Sequence, residues 1–228
     1  SRFWHKALYD LGLVNESEPY TRRMNRGLIL GPDGQKMSKS KGNVIDPDEV
    51  VAKLGSDAVR LYLAFIGPYN APGSYPWNPD SIMGVRRFLE RTWRLYNTLT
   101  PTLSQNERGE GSGSLSRHGE RAGVRGDKDV ERVLHQTIKK VGEDCAELKF
   151  NTAIAQMMIF LNAAEGKGIT KQQYATFVRI LAPFAPHIAE ELWQMLGNKK
   201  SVHTEPWPKF DAKKLIADTI TIAVQING

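Results

Sequence analysis

Apolar residues recur at a helical period along most of this chain and alternate as in a strand only near its far end. Phe3, Ala7, Leu8 and Leu11 predict a helix over about 2–14 that ends near Gly12, with Phe3 and Trp4 read as core. Residues 15–26 are polar, with Pro19, Arg22, Arg23 and Arg26, and lead into a short strand at 27–30 built on Leu28, Ile29 and Leu30. Two short helices follow at 47–54 and 56–66, split by Gly55. Asp46 is the expected N-cap of the first, with Pro47 at its first position and Glu49 completing a capping box. Ser56 is the expected N-cap of the second, whose apolar face is Val59, Leu63 and Ile66.

Residues 67–79 read as a turn-rich connector, in which Tyr69, Tyr75 and Trp77 are expected to plug onto the body. Asn78, Pro79 and Asp80 then open a long helix over about 79–99. Its apolar stripe is Val85, Phe88, Leu89, Trp93, Tyr96 and Leu99, and Arg87, Arg91 and Arg94 share another face. That basic face can carry a phosphate backbone or be an ordinary solvated surface. Residues 104–126, rich in Ser, Gly, Arg and Glu, read as a flexible surface loop. Three more helices are predicted at 127–147, 151–164 and 170–182, the last opened by a Thr170–Gln173 capping box. The middle one is apolar nearly all round and should be central. A further helix starts at Pro186 and stops at Gly197. The fold class is therefore mainly α, a bundle of four or five helices with a terminal alternating strand at 220–226.

Between the 27–30 strand and the helix at 47 lies a strongly basic stretch that reads either as a solvated turn or as a phosphate-binding loop. Lys36, Met37, Ser38, Lys39, Ser40 and Lys41 stand between Gly34 and Gly42. A flexible, cationic loop held between a strand end and a helix start suits a polyphosphate. Lysines follow its charge, while hydroxyls and loop amides bond its oxygens.

Composition adds little against this. The net charge of +6 allows an anionic partner, and 40% apolar content is ordinary for a globular chain of 228 residues. The single cysteine, Cys145, forms no internal disulfide, which fits a reducing cytoplasm. No stretch reaches membrane-spanning length. The chain opens without methionine inside a predicted helix and closes at Asn227-Gly228 where a hairpin partner is due, so a piece of a longer protein is expected. The five histidines show no paired spacing, so no metal site is argued. No Walker, G-x-S-x-G or dinucleotide-binding pattern appears. Phosphate handling by the loop remains, a positional and electrostatic chemistry.

The string Lys36-Met37-Ser38-Lys39-Ser40 with its flank Lys41-Gly42-Asn43-Val44-Ile45-Asp46-Pro47 resembles the second signature of class I aminoacyl-tRNA synthetases. Further stretches resemble the C-terminal half of leucyl-tRNA synthetases of bacterial type. They are Ser1 to Lys6 with Tyr9 to Leu13, Arg87-Phe88-Leu89 with Trp93, and Leu181 to Trp193 with its Phe184-Ala185-Pro186-His187-Ile188 core. Val224 to Gly228 resembles the opening of that family's small C-terminal domain. Isoleucyl, valyl and methionyl relatives share the layout and stand as alternatives, as does a non-catalytic tRNA-binding module.

The resemblance implies a division into 1–66, the end of a Rossmann-type catalytic domain, 67–210, an anticodon-binding type bundle, and 211–228, the start of a further domain. It implies activation of leucine by ATP with Mg²⁺, then transfer to tRNA-Leu, by a monomeric cytoplasmic enzyme. Lys36 and Lys39 would act catalytically on the phosphates, Met37, Ser38 and Ser40 would complete the ATP loop, and Arg87, Arg91 and Arg94 are candidate tRNA contacts. The family's His-x-Gly-His signature is absent from this sequence, so the chain is not expected to aminoacylate alone.

Overall fold

Helix α1 (Arg2–Asp10) carries the predicted amphipathic pattern but buries no residue. Phe3 and Trp4, expected in the core, are 77% and 70% exposed, because no described element packs over their face of α1. Arg2 holds Glu18 by two bonds of 2.9 and 2.8 Å, folding the following polar stretch back along the helix. The computed structural model describes residues 2–21, 27–69, 71, 73–106 and 128–215. The readings placed on Arg22, Arg23, Arg26, on 107–126 and on the strand at 220–226 lie outside the described residues.

Strand β1 (Leu28–Leu30) pairs in parallel with β2 (Ser74–Pro76), Leu28 opposite Ser74 and Leu30 opposite Pro76. The sequence showed β2 only as connector, since three residues that end in a proline display no period. The Tyr75 side chain lies where side chains on Gly67 and Gly73 would start, its ring 2.3 Å from the one ideal Cβ position and its hydroxyl 2.4 Å from the other. Trp77 meets Tyr62 edge to face at 4.8 Å and Tyr69 meets Phe150 at 5.0 Å, so these two aromatics pack on the body, while Tyr75 is seen against the connector's own glycines.

Between the strands run α2 (Pro47–Leu54) and α3 (Ser56–Phe65). Asp46 caps α2 as predicted, but its carboxylate accepts from the Asp48 N–H at 2.9 Å rather than from Glu49. Gly55 occupies the N-cap place assigned to Ser56, at φ 88° and ψ 151°. The face α3 buries is Ala58, Val59, Leu61 and Tyr62, turned from the expected one, with Leu63 and Ile66 at its edge.

The bundle adds α4 (Pro79–Asn106), α5 (Lys128–Ala146), α6 (Phe150–Lys167), α7 (Lys171–Leu181) and α8 (Pro186–Met195). Asn78 opens α4 by accepting from the Asp80 N–H at 2.8 Å, and the helix continues past the predicted end at about 99 to Asn106, taking in 104–106, which were expected in the loop. Helix α6 is central as expected, burying Ala153, Ile154, Met157, Phe160, Leu161 and Ala164. Thr170 and Gln173 form the capping box of α7. One continuous core runs from Ala58 to Val202. No helix among the described residues is long and apolar enough to cross a membrane.

Candidate functional site

The chain leaves β1 through a tight turn. The Gly31 N–H donates to the Gln35 carbonyl at 2.7 Å, and Leu30 bridges Lys36 in antiparallel fashion. The lysine loop thus begins as the return arm of a small hairpin. Lys39–Lys41 then make a turn of 3-10 helix, closed by Gly42 at φ 65°, a left-handed conformation suited to glycine. Asp46 and α2 follow. Strand end, loop and helix start stand in the predicted order.

The loop, expected from its composition to be flexible, carries a set of internal hydrogen bonds. Asn43 Oδ1 accepts from the Ser38 N–H at 2.8 Å. Its Nδ2 donates to the Asp33 carboxylate at 3.1 Å and to the Lys36 carbonyl at 3.3 Å. Asp33 also accepts from the Gln35 N–H at 3.0 Å. That bond first, and the Asn43 carboxamide after it, hold Asp33 below the usual carboxylate range. Ser38 Oγ and Ser40 Oγ lie 2.8 Å apart, and Lys41 Nζ donates to Gln35 Oε1 at 2.8 Å. Lys36 and Lys39 are exposed, while Met37 and Ser38 are half-buried. The arrangement presents ammonium groups and paired hydroxyls on a shaped, solvent-open scaffold. Sequence reasoning missed Asn43 and Asp33 as braces. Their local signals were an Asn beside Gly42 and an Asp-Gly pair in the turn, both common turn residues with no hint of which partners they take.

The three arginines of α4 do not behave alike. Arg91 lies against α6, with Nε donating to Glu165 Oε1 at 3.0 Å and Nη2 to Asn162 Oδ1 at 2.6 Å. Hydrogen bonding to Arg91 lowers the Glu165 pKa. Arg87 and Arg94 are exposed. Of the three, these two are the ones open to a large anionic partner.

A cleft of about 640 Å³ opens between α5, α7 and residues 206–214, lined by His135, Gln172, Arg179 and Trp207 among others. It contains none of the candidate phosphate- or tRNA-contacting residues, Lys36 to Ser40 and Arg87, Arg91 and Arg94, though the Thr170 and Gln173 of the capping box line it. The loop's candidate groups Lys36, Lys39 and Ser40 are exposed.

Two family profiles match the chain. Residues 1–71 match tRNA synthetases class I (I, L, M and V), and residues 127–228 match the anticodon-binding domain of tRNA ligase. Among solved structures, a LeuRS of Agrobacterium radiobacter, crystallised as a ternary complex with tRNA and LeuAMS, is similar at a TM-score of 0.76 and 37% identity. The similarity covers 96% of this chain and 28% of that one.

Proposed function

As the chain belongs to the class I tRNA synthetases, we propose that it supplies the ATP-phosphate loop and a tRNA-binding bundle to a leucyl-tRNA synthetase. The observation that carries this is the braced lysine loop between β1 and α2, in a chain 37% identical to a LeuRS along 96% of its length. That LeuRS binds tRNA in its complex, and the same role is assigned here to the bundle with Arg87 and Arg94 on its surface.

The substrates are leucine, ATP with its Mg²⁺, and tRNA-Leu. The leucine carboxylate attacks the α-phosphate, and the bond to pyrophosphate breaks. Negative charge grows on the leaving group as this happens. Lys39 and Lys36 meet that charge, and the Ser38 and Ser40 hydroxyls bond its oxygens. A cation that meets the leaving group more strongly than the bound ATP lowers the barrier without tightening the ground state. The enzyme is read as a cytoplasmic monomer. Because the chain spans 28% of that LeuRS and holds one of the two class I signatures, the activity belongs to the complete synthetase.

Lys39→Ala in that synthetase tests the assignment. Loss of one transition-state donor predicts a drop of about 10²-fold or more in ATP–pyrophosphate exchange. The melting temperature should hold, because Lys39 is exposed. Exchange within twofold of the unsubstituted enzyme would remove Lys39 from the mechanism.

A further inference from the structure

Helix α8 begins without a cap of its own. Its N-cap position is Ala185, which has no side-chain acceptor, and Pro186 follows at the first helical position. The N–H groups of His187 and Ile188 therefore need a partner from elsewhere. Asp57 of α3 supplies it. Its Oδ2 accepts from the Ile188 N–H at 2.8 Å, and its Oδ1 accepts from the His187 N–H at 3.4 Å. The same Oδ1 lies 2.8 Å from His187 Nδ1. Asp57 is 8% exposed, a buried carboxylate turned to the start of another helix. On either side of it, Ser56 Oγ lies 3.3 Å from His187 Nδ1, and Arg60 Nη2 donates to the Pro183 carbonyl at 3.2 Å. One turn of α3 thus grips the corner where α7 passes into α8.

The other end of this segment is the phosphate loop. Helix α3 follows α2 through Gly55 alone, and α2 starts straight after Asp46, close behind the loop. The pair α2 and α3 therefore carries the loop at one end and, through α3, joins the bundle at the other. The Gly55 backbone at φ 88° and ψ 151° sets the angle between the two helices.

We propose that Asp57 is a positioning residue for the tRNA-dependent step: it fixes the bundle against the segment that bears the phosphate loop, so that a tRNA seated on the bundle delivers its acceptor end to the adenylate. This rests on the synthetase reading above. Adenylate formation needs the loop but no tRNA. Transfer needs loop and bundle in register, and small misplacements of reacting groups cost rate steeply.

The experiment uses the complete synthetase carrying Asp57→Asn, which keeps the side chain's shape but cannot accept at both oxygens. The expected result is a fall of about tenfold or more in kcat for tRNA charging, with amino-acid-driven ATP–pyrophosphate exchange within twofold. A second variant, Asp57→Asn with Ala185→Ser, gives α8 a local cap in place of the distant one. It should recover melting temperature without recovering charging. Equal falls in charging and exchange, or recovery of charging with the local cap, would show that Asp57 only stabilises the fold and would overturn the proposal. The comparison is a ratio within one enzyme, so it reads the same whichever amino acid drives exchange. A wrong amino-acid assignment shows separately, as the absence of leucine-driven exchange before any substitution.

Discussion

A single carboxamide, that of Asn43, reaches the Ser38 N–H, the Lys36 carbonyl and the Asp33 carboxylate. Shortening it frees three points of the loop at once. Asn43→Ala should therefore speed hydrogen exchange at the Ser38 amide by about tenfold or more, the equivalent of losing roughly 1–1.5 kcal/mol of local protection. Unchanged exchange would mean that the 3-10 turn alone holds the loop. At His135 the consequence is a pH dependence. Its Nδ1 accepts from the Asp211 N–H at 3.0 Å, so the folded ring is neutral. Burial first, and then nearby Lys214, lower its pKa, against weaker opposite effects of Glu131 and Asp211. Unfolded histidine takes a proton near pH 6.5 while the folded ring resists it, so the unfolded state binds more protons below that pH. This contribution to stability is complete above about pH 6.5 and is lost as pH falls toward the depressed folded value. Thermal melts between about pH 7.5 and 5.5, which bracket the histidine range, should show a decline that His135→Asn reduces; an identical decline in the variant would assign it to other groups. Cys145 is pushed up to about 11 by burial, which predicts slow alkylation of the native thiol at neutral pH.

Between α2 and α3 the backbone passes through a conformation that is nearly glycine-only, at Gly55. Gly55→Ala is expected to cost about 1–3 kcal/mol in denaturant unfolding although its Cβ would meet no atom within 4 Å. A cost near zero would show that the two helices re-angle freely. On α4, Arg87→Ala with Arg94→Ala should weaken tRNA binding and flatten its dependence on salt concentration, by about one unit of slope for each phosphate left without its cation. Arg91→Ala should instead act mainly on stability, by about 0.5–1 kcal/mol through its pair with Glu165. Equal effects of all three on binding would restore the uniform basic stripe. The elements were readable where their causes are local. Asp46, Asn78 and the Thr170–Gln173 box announced helix starts because a cap bonds to residues two or three places on. Strand β2 and the Asp57 grip on α8 were not readable, since each is a pairing of distant segments that leaves no periodic trace. The bare Ala185-Pro186 start of α8 was the one available sign that a cap must come from outside. The pattern of α1 showed an apolar face but could not show what covers it, and Phe3 and Trp4 prove exposed.

Across the molecule, a hydrophobic core continuous from Ala58 to Val202 makes α3 a member of the bundle, while β1 and the loop lie outside that core and α2 only edges it through Val50 and Leu54. This division matches the two tasks assigned to the chain. The phosphate chemistry proposed for the lysine loop would sit on a small braced scaffold at the edge, and the packed helical body would offer the surface proposed for a large polyanion, consistent with a net charge of +6. The loop's place between a strand end and a helix start was legible from consecutive residues, because Leu28–Leu30, Gly34, Gly42 and Asp46 signal it locally. Its bracing was not, because Asn43 and Asp33 act through tertiary geometry. The function proposed for this machinery depends on leucine being the amino acid activated. Its most direct test is ATP–pyrophosphate exchange by the complete synthetase, driven in turn by leucine, isoleucine, valine and methionine. Strong exchange with leucine and little with the other three is the expected result. Exchange driven best by another of the four would contradict the leucyl assignment, and no exchange with any of them would contradict the catalytic role of the loop.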